Sequence, residues 1–135
     1  MSRKQAREAA MQLVFEQLFG AGPDAEAETL VNLIEYQPDE VEQKYIDEVV
    51  KGVAAHAAEL DADIASCLRG WTLERISRVD RAIMRHAIHE FRYSGLQASV
   101  AINEAVNLVR KYSSEDSTRF VNGVLGTISR RQEKE

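Results

Sequence analysis

Apolar residues recur along this chain at spacings of three and four, the period of one face of a helix. From Lys4 to Phe19, the residues Ala6, Ala10, Leu13, Val14 and Leu18 fall on one stripe, and Gly20-Ala21-Gly22-Pro23-Asp24 predicts its end. A short acidic helix is expected from Ala25 to Glu35, carrying Leu30, Leu33 and Ile34. The run Asp39-Glu40-Val41-Glu42 resembles a capping box, in which Asp39 accepts backbone N–H groups at a helix start. The helix it opens places Tyr45, Val49, Gly52, Val53 and His56 on one stripe, and a shorter helix over Leu60 to Leu68 stops at Gly70. Thr72 is the expected cap of a segment that runs to Tyr93. Its stripe of Ile76, Val79, Ile83 and Ala87 is widened by Met84, Ile88 and Phe91, as in a central helix buried on more than one side. Ser94-Gly95 breaks it. Ser99 is expected to cap a helix holding Ile102, Ala105, Val106 and Val109, and Ser113 a last one holding Val121, Val124, Leu125 and Ile128. No sustained period-two alternation occurs. The pattern predicts an all-α fold, a single-domain bundle of about seven helices over residues 1–135.

Composition agrees with one ordinary globular domain: 135 residues, 44% hydrophobic and 29% charged. The single cysteine, Cys67, excludes an internal disulfide and a multi-cysteine zinc site. No apolar run approaches the roughly 18 residues of a membrane span. No signal-peptide core follows Met1, so a cytoplasmic setting is expected. The net charge of -5 conceals an asymmetry. Residues 24–63 carry -10, whereas residues 1–23 carry +1 and residues 64–135 carry +4. Twelve of the seventeen basic residues are arginine, whose planar fork matches phosphate geometry. An acidic chain thus has room for a local anion-binding face.

Catalytic chemistry is hard to place. His86 and His89 stand three apart, not the four a zinc-protease helix needs, and His86 falls four before Glu90. Cys67 sits among Ile64, Ala65 and Leu68, the setting of an inert buried thiol. No nucleophile elbow, phosphate loop or dinucleotide fingerprint occurs. The reading is therefore no enzyme, with no metal and no cofactor. Basic residues are more informative. Arg3, Lys4 and Arg7 crowd into five positions, with Arg3 and Arg7 on one side of the first helix. Arg110, Lys111 and Arg119 flank the last interhelical loop beside Tyr112, Phe120 and Asn122. Cations interleaved with aromatic rings suit single-stranded RNA, whose bases stack while its phosphates are neutralised. Phe120 lies one turn before Val124, so a core position stays open for it.

Three runs then carry a resemblance: Arg78-Val79-Asp80-Arg81-Ala82-Ile83-Met84-Arg85, Ala101-Ile102-Asn103-Glu104-Ala105-Val106 and Phe120-Val121-Asn122-Gly123-Val124-Leu125. Together with Arg3-x-x-x-Arg7-x-x-Ala10 and Gly70-Trp71, they resemble the transcription antitermination factor NusB family over nearly the whole chain. The resemblance implies a non-catalytic helical protein that binds the boxA element of ribosomal RNA leaders as single-stranded RNA. It acts with NusE, a small-subunit ribosomal protein, in the RNA polymerase antitermination complex. It implies RNA contacts at Arg3, Lys4, Arg7, Asp116, Arg119, Phe120 and Asn122, and NusE contacts at Phe15 and Asp80. Gln97 stands where the family often has proline, and the N-terminal basic cluster is thinner than in some members. The chain's end at Glu135 favours this factor over the same fold fused to a ribosomal RNA cytosine methyltransferase. A homodimer that hides the RNA face and a monomer are both compatible with the sequence. The rival class is a helical protein-interaction scaffold whose acidic block docks a basic partner without RNA.

Overall fold

Capping and packing turn these stripes into helices with definite ends. The computed structural model describes residues 3–18, 36–70 and 72–134. Among them are six α-helices and one 3-10 turn. They are α1 (Arg3–Gln17), α2 (Glu40–Ala55), α3 (Ala57–Ala65), α4 (Arg78–Tyr93), α5 (Ala98–Tyr112) and α6 (Glu115–Glu133), with the 3-10 turn at Leu73–Arg75 before α4. The acidic helix expected at Ala25–Glu35 and the break at Gly20–Asp24 lie outside the described residues.

The Asp39 capping box forms as read. Asp39 Oδ1 accepts from Glu42 N–H at 2.8 Å, and Glu42 Oε1 accepts from Asp39 N–H at 3.2 Å. Three other expected starts move. Thr72 opens only the 3-10 turn; α4 begins at Ser77, whose Oγ accepts from Asp80 N–H at 3.0 Å. Leu73 and Ile76 prolong the apolar period upstream of the real cap, which is why periodicity alone misplaces it. The α5 cap position is Gln97, without a side-chain bond, not Ser99. At α6, Ser114 rather than Ser113 accepts from Ser117 N–H.

The expected central helix is α4, buried without interruption from Ala82 to Phe91. It packs against each of the other five helices, while α1 also lies along α2, and α5 along α6. One apolar core joins Val14, Val49, Val53, Leu60, Ile83, Met84, Ile88, Val109, Leu125 and their neighbours. Burial of each larger side chain contributes about 1.5–3 kcal/mol, so most of the fold's stability resides there. Where α4 meets α2, the His89 ring lies against Gly52 so closely that a Cβ built at Gly52 would overlap Nε2. His89 Nδ1 is buried without a hydrogen-bond partner among the described residues, and burial, reinforced by His86, pushes its pKa down. Polar groups on α4 find partners on α3, where Asp61 takes both Arg81 and Arg85. After Ser94, Gly95 adopts a positive φ of 74°, and Leu96 N–H turns back to the Glu90 carbonyl at 3.2 Å. No helix among the described residues is long and apolar enough to cross a membrane.

Candidate nucleic-acid and partner interface

The three basic residues of α1 have three different fates. Arg7 is only 8% exposed. Its Nε and Nη2 donate to Glu90 Oε1 and Oε2 at 3.0 and 3.1 Å, and Nη1 lies 3.7 Å from Glu104. Burial by itself would raise the Glu90 carboxyl, but hydrogen bonds and charge from His86 and Arg7 outweigh it and hold the group at about 2. His86 Nε2 is 3.0 Å from Glu90 Oε1 and 3.1 Å from the Tyr45 hydroxyl, so this one network ties α1, α2 and α4 together. The resemblance names Arg7 as an RNA contact; in the structure Arg7 lines a groove beside α1, but its donors are engaged by protein carboxylates. Arg3 is exposed and lies over Tyr45, its Cζ 4.2 Å from the ring centroid. Lys4 is exposed and has no ion pair or hydrogen bond among the described residues.

Two grooves flank α5. The first, about 400 Å³, runs between α1 and α5 and is lined by Lys4, Arg7, Glu104, Asn107, Arg110 and Lys111, among others. The second, about 660 Å³, runs between α5 and α6 past Ser99, Asn103, Arg110, Thr118, Arg119 and Asn122. Arg110 lines both, so the N-terminal cations and the Arg119–Asn122 segment form one continuous surface across α5. The carboxylates along it are paired: Glu8 accepts from Lys111 Nζ at 2.9 Å and from the Tyr112 hydroxyl at 3.0 Å, Glu104 faces Arg7, and Glu115 lies 3.6 Å from Arg110. Arg119 has no partner among the described residues. The outcome is a polar track with cations unneutralised at both ends, which can hold a chain of phosphates.

The first turns of α6 separate this track from a third hollow. It measures about 400 Å³ and is lined by Arg75, Ile76, Ser77, Asp80, Asp116, Ser117 and Phe120. Phe120 is 37% exposed, which closes the question of a core role. Asp80 is only 4% exposed, and its Oδ1 is buried without a hydrogen-bond partner among the described residues. Asp80, expected as a NusE contact, thus stands as a buried residue in the wall of this hollow. Phe15 is half-buried and packs against the core from α1.

The structure thus gathers Asp80, Asp116 and Phe120 at one hollow, and Lys4, Arg119 and Asn122 along one track. Sequence reasoning missed Tyr45 as the seat of Arg3 and Glu90 as the partner of Arg7. It also missed Asn103 and Asn107, although their i, i+4, i+7 spacing with Arg110 was available as a signal.

The geometry defines a class: an all-helical domain with a cationic track on one side and an apolar hollow with a buried carboxylate beside it. The NusB family model matches residues 4–130, and the chain belongs to this family. It is 41% identical to the transcription antitermination protein NusB of Symbiobacterium thermophilum, across 96% of this chain and 90% of that protein. With the NusB of Acetivibrio thermocellus the identity is 42%, across 95% and 88%. A crystal structure of antitermination factors NusB and NusE in complex with dsRNA contains a chain that matches with a TM-score of 0.82 at 26% identity, covering 96% of each chain.

Proposed function

We propose that this protein is a cytoplasmic, non-catalytic transcription antitermination adaptor. It binds boxA single-stranded RNA of ribosomal RNA leaders together with NusE and acts on elongating RNA polymerase. The observation that carries this reading is the shared position of Arg110, which makes the two grooves beside α5 one track from Lys4 to Asn122. Arg3, Lys4, Arg110 and Arg119 neutralise phosphates and fix register, while Asn122 offers an amide to base edges. Arg7 supports this face from below by pinning α1 to α4.

NusE takes the neighbouring hollow. Phe120 and Asp116, which the resemblance gave to RNA, are assigned to this partner with Asp80: Phe120 supplies apolar area, and the two carboxylates supply negative charge that suits a basic ribosomal protein. Because the hollow and the track share the first turns of α6, a partner seated in one extends the surface offered to RNA by the other.

The test is fluorescence anisotropy with a short boxA-like RNA and a scrambled control, each with and without NusE. Preferential boxA binding that tightens with NusE supports the adaptor. Binding of NusE with no gain in RNA affinity supports the scaffold class instead.

A further inference from the structure

Arg3 and Arg7 stand one turn apart on α1, yet the structure treats them in opposite ways. The difference lies in Tyr45. An arginine buried against a carboxylate that takes two of its N–H donors, as Arg7 is, offers little to a phosphate. An arginine held over an aromatic face keeps its charge and its N–H donors, since the ring accepts none of them as a carboxylate would. Arg3 is in the second state: its Cζ is 4.2 Å above the Tyr45 ring, and it has no carboxylate partner among the described residues. On the same helix as Tyr45, Glu42 is buried, accepts from the Tyr36 hydroxyl at 2.9 Å and is bound up in the Asp39 capping box.

The ring itself is held from behind. Its hydroxyl lies 3.1 Å from His86 Nε2, and that nitrogen lies 3.0 Å from Glu90, the carboxylate that clamps Arg7. Arg7 Cζ approaches the same ring at 5.7 Å. The buried network therefore sets the height and tilt of the surface on which Arg3 rests. This matters at a helix N-terminus, where a long side chain at the third residue would otherwise sample many rotamers and lose that freedom on binding.

We propose that Tyr45 is a positioning residue of the RNA-binding face: it holds Arg3 as an unneutralised, pre-oriented phosphate receptor. The proposal rests on the RNA-binding reading above. The ring is the working part, and the hydroxyl serves to seat it.

Two measurements on the full chain test this. In the first, NMR of the Arg3 side chain should show δ-proton resonances shifted upfield by the ring current in the wild type and in Tyr45→Phe. An unshifted Arg3 in the wild type overturns the proposal without any substitution. The second is a double-mutant cycle on affinity for a boxA-like single-stranded RNA, with folding checked by circular dichroism. Arg3→Gln and Tyr45→Leu should each weaken binding about fivefold, the double variant should be no weaker than Arg3→Gln alone, and Tyr45→Phe should bind like wild type. Tyr45→Leu costing as much in the Arg3→Gln background as in the wild type would show a merely structural role and overturn the proposal. A wild type that binds no RNA overturns the RNA-binding reading and the proposal with it, whereas RNA binding with independent effects overturns the proposal alone.

Discussion

The two ends of α4 solve the same problem differently. Near its C-terminus, Glu90 is buried with two donors from Arg7 and a third contact from His86, so its charge is fully answered within the chain. Near its N-terminus, Asp80 is almost as buried, but one of its oxygens has no partner among the described residues. Leaving a buried acceptor unmade generally costs about 1–3 kcal/mol, so a chain that satisfies one carboxylate and not the other has a use for the second. Part of that use is local, since Asp80 sits in the first turn of α4, where a negative charge meets the positive end of the helix. The rest is a carboxylate on a residue that lines a hollow beside exposed Phe120. Burial of a charge therefore does not mark its role; its partners do.

Breaking the satisfied end should have the largest effect. Glu90→Ala leaves the Arg7 guanidinium buried with no carboxylate but the distant Glu104, and should destabilise the fold by about 3–5 kcal/mol in urea unfolding. A loss below about 1 kcal/mol would mean that α1 is not pinned there. Acidification probes the same pair more gently. Glu90 is held at about 2, below the ordinary 4.5, so the folded state favours its ionised form. That stabilisation is complete above about pH 4.5 and is lost as the pH falls towards 2. Asp61, held down against burial by Arg85 and Arg81, acts in the same direction. The gap in Tm between wild type and Glu90→Gln should therefore shrink between pH 6 and pH 2.5, whereas a constant gap would remove the pair from the acid response.

The unsatisfied end should respond in partner binding more than in stability. Asp80→Asn keeps the shape and removes the charge, so stability should fall by less than about 1 kcal/mol, the value of a helix N-terminal charge. NusE affinity, read by calorimetry, should fall about tenfold if a basic group of the partner meets Asp80. Unchanged affinity with reduced stability would make Asp80 a helix-end residue only.

These contrasts also show how far the sequence could be read. Helix type, and the six helices among the described residues, followed from the apolar stripes, because a buried face leaves its period in the chain whatever it packs against. The Asp39 cap was legible because both halves of its box lie within four residues. The α4 start was not, since Leu73 and Ile76 continue the apolar pattern through a 3-10 turn and an extended residue. The site was legible as a composition of cations, aromatics and amides, not as an arrangement. Arg7 and Glu90 are 83 residues apart, and nothing local to Arg7 distinguishes it from Arg3 or Lys4. Asp80 is named in the sequence only through the resemblance; its burial in a hollow with Asp116, Ser117 and Phe120 of α6 is set by packing that leaves no local mark.

The central claim is that RNA lies on a track whose end cations, Lys4 and Arg119, have no partner among the described residues. The most direct measurement is the salt dependence of boxA-like RNA binding for wild type and for the double variant Lys4→Gln/Arg119→Gln. Each phosphate deprived of its cation should reduce the slope of log affinity against log salt by about 0.7 for a single strand, so the double variant should be shallower by about 1.4. An unchanged slope would place the RNA elsewhere on the protein and contradict the track.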